Sequence, residues 1–252
     1  LAVRHLRTLN ELDLLRGLHM KNVFGLKKTV LAASVIAASL APAIAAAEVS
    51  GTLGASSQYL WRGQQLTDGA AVYGSVDYAH ASGLYAGAWA SSETDDTEYD
   101  LYAGFGGEAG GFSYDISYID YNYTAGGGMG VEQDPLTPGT ERASDGDFQE
   151  VHVGAGFAGL TADAFFGVGD AGKGSDEDYE DNYYAVGYSY DKYGASVGYY
   201  DFDADDSDYT HLDVSYAVTD QFTFTVSKIV DQEEDDTYDD DVVMSVSYEF
   251  AL

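Results

Sequence analysis

Residues 242–252 read Val-Val-Met-Ser-Val-Ser-Tyr-Glu-Phe-Ala-Leu. In an extended chain Val242, Met244, Val246, Tyr248, Phe250 and Leu252 share one face, while Val243, Ser245, Ser247, Glu249 and Ala251 share the other. A hydrophobic period of two belongs to a β-strand and excludes an amphipathic helix. The same alternation recurs in Leu212/Val214/Tyr216 against His211/Asp213/Ser215, and in Phe112/Tyr114/Ile116/Tyr118 against Ser113/Asp115/Ser117.

Working outward, twelve such segments follow one another at 49–62, 70–79, 84–91, 99–106, 112–123, 148–157, 160–169, 182–190, 193–202, 208–217, 222–230 and 241–252. Their connections alternate in kind. Short ones lie at 80–83, 107–111, 158–159, 191–192 and 218–221. Long or acidic ones lie at 63–69, 92–98, 124–147, 170–181, 203–207 and 231–240. Over an even number of strands this places every long loop at one end and both ends of the series at the other. The pattern predicts an all-β fold, a transmembrane antiparallel up-and-down β-barrel of about 12 strands over residues 48–252.

Alternation alone does not say which face looks outward, because a soluble lipocalin-like barrel turns its apolar side inward. The polar face decides for lipid outside. A solvated face is rich in Lys, Glu and Arg, whereas these positions are mostly Ser, Gly, Thr and Tyr, with the charge gathered in the loops. Tyr59, Tyr99 and Tyr190 stand towards segment ends, where an interfacial aromatic girdle is expected.

Composition removes several function classes. Eleven Lys+Arg against 43 Asp+Glu give a formal charge of −32 at pH 7, which excludes a nucleic-acid partner, since phosphate recognition needs a clustered basic footprint. The absence of Cys removes disulfides, thiolate metal sites and cysteine nucleophiles. Apolar residues at 45% and aromatics at 14% argue against disorder.

Charge also divides the chain. Six of the eleven basic residues precede residue 48, and from Met20 the sequence runs through a basic stretch, an apolar run from Thr29 to Leu40 and the small residues Ala43–Ala47. This reads as a secretory signal at 20–47 cleaved after Ala45 or Ala47, with 1–19 an upstream extension. The apolar run falls short of the roughly 20 residues a helical span needs.

Gln58-Tyr59-Leu60-Trp61-Arg62-Gly63, Ser75-Val76-Asp77-Tyr78-Ala79-His80, Gly83-Leu84-Tyr85-Ala86-Gly87-Ala88-Trp89, Asp100-Leu101-Tyr102-Ala103-Gly104-Phe105, Gly111-Phe112-Ser113-Tyr114-Asp115 and Asp147-Phe148-Gln149-Glu150 together resemble the TorF family of Gram-negative outer-membrane porins. The resemblance is densest over 56–123. It implies an outer-membrane barrel and a pore, with no catalytic residues. Many such barrels end in an aromatic residue read by the barrel-assembly machinery; here Ala251-Leu252 follow Phe250, although Leu252 keeps the outward register.

Other motifs fail on context. Gly154–Gly159 and Gly167–Gly172 match G-x-G-x-x-G, but neither opens a helix, as a dinucleotide site requires. Asp201-Phe202-Asp203-Ala204-Asp205 begins like a calcium loop, yet Asp206 stands where Gly is needed and Leu212 where Glu is needed. No cofactor and no resident metal site is expected. The runs at 201–205 and 231–241 offer at most weak divalent binding, or simply solvated acidic loops.

The candidate pore-lining residues are Arg62, Asp77, Asp115, Glu150, His152, Asp163, His211, Asp213 and Glu249. Inward acids would favour cations and repel anions, or be bonded to neighbouring Tyr and Ser. Arg62 is expected to pair with loop or lumen carboxylates, narrowing the mouth or bracing the wall. With His152 and His211 inward, a lipid hydrolase working at the outer wall is disfavoured and no enzyme is expected. The reading is an outer-membrane channel passing small solutes, cations preferred, through a narrow watered lumen. The loop 124–147 is its one segment long enough to fold in. The alternative is a non-conducting structural or binding barrel whose acidic loops engage lipopolysaccharide through divalent cations.

Overall fold

The computed structural model describes residues 48–94, 96–124, 147–169, 179–204, 206–234 and 237–252. The segments read as extension and export signal, and nearly all of the loop 124–147, lie outside the described residues. The strands are β1 (Glu48–Ser56), β2 (Leu60–Trp61), β3 (Gln64–Gln65), β4 (Ala71–Ala79), β5 (Leu84–Ser92), β6 (Thr97–Ala109), β7 (Phe112–Tyr123), β8 (Phe148–Phe157), β9 (Leu160–Val168), β10 (Asn182–Tyr190), β11 (Tyr193–Asp201), β12 (Tyr209–Ala217), β13 (Phe222–Gln232) and β14 (Val243–Ala251).

Strands β4 to β14 pair antiparallel in chain order, and β1 joins β4 on one side and β14 on the other, closing a ring of twelve; β2 and β3 form a separate hairpin. Closure gives every wall strand two neighbours, so the sheet has no free edge strand. Strands of 9 to 13 residues match the length a tilted strand needs to cross a bilayer.

Short turns explain the tight end. Gly110 and Gly111 have φ of 63° and 85°, and Ala158 and Gly159 have 52° and 89°. Two consecutive positive-φ residues make the two-residue turn whose twist matches that of the flanking strands. Between β12 and β13 the register slips at Thr210/His211: Thr210 faces Asp231 while His211 faces Ile229. This bulge leaves Val230 outside and keeps Ile229 within.

The outer wall is apolar, as the alternation predicts. Val72, Val76, Leu101, Ile116, Val153, Val186, Val197, Val214 and Met244 are exposed around the ring. Aromatics thicken the belt towards its ends: Phe112 stacks on Phe157 at 4.3 Å and Tyr193 meets Tyr216 at 5.1 Å near the short turns, while Phe166 and Tyr184 meet at 6.0 Å near the loops.

Three expectations need correction. The first wall strand ends at Ser56, not at residue 62, because the chain leaves the wall there. Tyr59 is therefore buried inside and takes no part in an outer girdle. The turn expected at 107–111 shrinks to Gly110–Gly111, since β6 and β7 pair as far as Ala109↔Phe112.

Candidate functional site

The segment between β1 and β4 folds into the barrel. Leu60-Trp61-Arg62-Gly63-Gln64-Gln65 forms the β2–β3 hairpin, with Leu60 opposite Gln65 and Trp61 opposite Gln64. Arg62 and Gly63, with φ of 46° and 88°, supply the two positive φ angles of its turn. Arginine in that region costs about 1–2 kcal/mol, so the surroundings must hold it there. At Gly63 no other residue fits: an added Cβ would stand 2.5 Å from His211 Cβ. The hairpin's base is tied by the Leu66 N–H donating to the Tyr59 carbonyl at 2.8 Å. Thr67 Oγ1 accepts from the Tyr59 N–H at 2.7 Å and donates to the Gly69 carbonyl at 2.7 Å.

Arg62 is 0% exposed. Its Nη1 donates to Glu150 Oε1 at 2.8 Å and its Nη2 to Oε2 at 2.6 Å, a bidentate pair with both side chains fully enclosed. The Tyr121 hydroxyl donates to the same Oε2 at 3.0 Å, and the Tyr209 hydroxyl donates to the Arg62 carbonyl at 2.9 Å. Four aromatic rings surround the guanidinium carbon: Trp61 at 4.3 Å, Tyr183 at 4.4 Å, Phe165 at 4.6 Å and Tyr200 at 5.2 Å. The cation thus meets several ring quadrupoles in a dry setting, where such contacts are strongest.

Beyond this lock the wall carries hydroxyls and charges. Asp77 accepts from Ser75 Oγ at 2.7 Å and from the Tyr102 hydroxyl. The Tyr85 hydroxyl donates to both oxygens of Asp115, at 2.9 and 2.8 Å. His152 stands between two acids, Nδ1 at 3.1 Å from Asp115 and Nε2 at 3.0 Å from Asp163. Both nitrogens can donate at once only in the imidazolium form. His211 Nδ1 lies 3.3 Å from Asp213, and its Nε2 pairs with the Tyr183 hydroxyl at 2.8 Å.

By register Asp77, Asp115, Glu150, His152, Asp163, His211, Asp213 and Glu249 all lie on inward faces. Arg62 is also inward, but at the tip of the inserted hairpin and not on the wall. Asp77, Asp115, Asp163 and Asp213 are each bonded to Tyr, Ser or His neighbours. The uniformly small, watered lumen does not hold on the loop side. There Trp61, Tyr121, Phe148, Phe165, Tyr200, Tyr209 and their neighbours form one packed cluster, and among the described residues the segment that enters the lumen is 57–70. Sequence reasoning missed these partners. The Arg-Gly dipeptide before two glutamines was the available sign of a tight turn, but the apolar alternation of Tyr59 and Trp61 masked it. Among the described residues no histidine sits on the outer wall of a strand, so no Ser–His pair is assembled there.

Residues 41–146 match the model of a family described as a bacterial protein of unknown function (Gcw_chp). No curated protein matches the chain in sequence. Among solved structures the chain is similar to the KdgM porin at 7% identity, covering 81% of this chain and 98% of that one, with a TM-score of 0.45. It is similar to the outer membrane phospholipase A from Escherichia coli at 10% identity, over 80% and 91%, with a TM-score of 0.39. It is also similar to the COG4313 outer membrane channel from Pseudomonas putida F1 at 10% identity, over 86% and 99%, with a TM-score of 0.39.

Proposed function

We infer that the protein is an outer-membrane channel for small solutes, cation-preferring, whose loop-side mouth is shut by its own first loop. The belt of exposed apolar side chains around a closed ring supports a bilayer location, with lipid as the belt's partner. The resemblance to the TorF porins points the same way. The observation that carries the channel reading is the nature of the closure. Wall strands supply most of the packed cluster, but its centre, Trp61 and Arg62, arrives on a loop and is held by side-chain bonds. A loop held in this way can be withdrawn. The excess of inward acids over inward bases favours cations, and no enzymatic role is proposed.

Planar-bilayer recording tests this reading. Refolded mature protein is expected to show rare, small conductance steps. Replacing 59–66 with a Gly/Ser linker is expected to give frequent and larger ones. Silence from both proteins would leave the non-conducting barrel as the reading.

Selectivity provides a second prediction. In a KCl gradient the linker variant should show a cation-selective reversal potential. Asp115→Asn, Asp163→Asn and Asp213→Asn combined should shift it towards zero, and an unmoved potential would assign selectivity to the loops.

A further inference from the structure

The lock around Arg62 is charge-balanced, but a neighbouring patch of the interior is not. On β6, Glu98 and Asp100 point inward from adjacent same-face positions and are 1% and 0% exposed. Neither oxygen of Asp100 has a hydrogen-bond partner, and Glu98 Oε2 also has none. Glu98 stands opposite Ser91 and Tyr123, and Asp100 opposite Trp89 and Tyr121. The Tyr59 hydroxyl, buried within electrostatic reach of both acids, is unpartnered as well. From the β5–β6 turn Glu93 faces Glu98, and its Oε1 is likewise buried and unbonded. Burial pushes the Glu93 carboxyl above the usual carboxylate range, with Asp96 adding to the push.

Buried carboxylates ordinarily pair with a cation or accept several N–H bonds, because removing an ion from water costs several kcal/mol. Here Arg62 is consumed by Glu150, so Glu98 and Asp100 have no basic group between them. Both side chains stand two residues apart on the inward face of β6, close to the β5–β6 turn, and hard cations take oxygen ligands of this kind.

We propose that Glu98 and Asp100, with the Tyr59 hydroxyl alongside, bind a divalent cation of the magnesium or calcium type just inside the loop-side mouth. Among the described residues no three acid or histidine side chains stand at the spacing of a metal cage. That suits a cation which keeps part of its water and takes one or two carboxylates, and not a transition-metal centre. Because Tyr59 belongs to the base of the inserted hairpin, the cation would also join that hairpin to the wall. The site does not depend on whether the barrel conducts.

Calorimetric titration of the full refolded barrel with CaCl2 or MgCl2, in salt high enough to screen the outer loops, tests the proposal. One saturable site is expected. It should be lost in Glu98→Gln/Asp100→Asn and kept in Asp239→Asn/Asp240→Asn, a control in an exposed loop. A second measurement covers failure of the double variant to fold. In the infrared spectrum of the wild-type protein at neutral pH, adding the cation should convert a protonated-carboxyl C=O band into carboxylate bands. Equal binding by wild type and the double variant overturns the proposal, as does a protonated band unmoved by saturating cation. The second outcome would mean that protons alone neutralise the patch.

Discussion

Glu150→Ala is expected to unlock the hairpin. The substitution leaves the Arg62 guanidinium enclosed at 0% exposure without its counter-charge, and stranding one member of a buried ion pair costs about 3–5 kcal/mol. The Tyr121 hydroxyl loses its acceptor in the same step. The cheapest relief is for Arg62 to reach water, which takes Trp61 with it out of the aromatic cluster. Trypsin should then cut after Arg62 in the folded, membrane-inserted variant but not in the wild type, and bilayer conductance should rise with the fraction cut. Arg62→Met combined with Glu150→Leu should restore resistance and closure, because an apolar pair of similar volume removes both charges together. If Glu150→Ala stays trypsin-resistant and electrically silent, packing alone holds the hairpin.

The second large effect concerns the wall. A Cβ at Gly104 would meet the Tyr85 ring at 2.5 Å and the Ile116 carbonyl oxygen at 2.7 Å. The ring could swing away only by giving up Asp115, and the carbonyl belongs to the β6–β7 ladder and cannot move freely. Gly104→Val should therefore destabilise the barrel by about 3 kcal/mol, combining overpacking with loss of a hydrogen bond to a charged acceptor. The check is the temperature at which the refolded protein loses its compact, heat-modifiable band on a detergent gel. A transition unchanged within a few degrees would mean that the wall yields there. Gly104→Val with Tyr85→Ala should recover part of the loss.

The ring of twelve was legible because each wall strand is half exposed to lipid, so the outward face must be apolar and the period of two is forced. The short turns were legible for a related reason, since Gly110–Gly111 and Ala158–Gly159 occupy positions that demand positive φ. The interior was less legible. Tyr85, Tyr102 and Tyr121 alternate like wall residues, but nothing local says whether a tyrosine's ring fills the lumen or its hydroxyl meets water. The pairing of Arg62 with a carboxylate followed from the scarcity of bases; its partner, 88 positions away, did not. Asp100 carries the same inward register as Asp77, yet its isolation from any donor is a three-dimensional fact. The hairpin escaped because Tyr59 and Trp61 continue the alternation of Val49 and Leu53 in β1 past the point where the chain departs.

That departure leaves a mark on the ring itself. Only Thr52–Ser56 of β1 pair with Ser247–Ala251 of β14. Above them the upper margin of β14 is met by Ser57 and by Gln58, whose Nε2 donates to the Met244 carbonyl at 2.9 Å and whose carbonyl accepts from Ser245 Oγ at 3.4 Å. The cylinder is thus stitched most briefly at its own join, where thread that could complete the seam has been spent on the stopper. Whatever draws the stopper out returns that thread to the seam's reach, so plugging the bore and finishing the hoop compete for the same few residues.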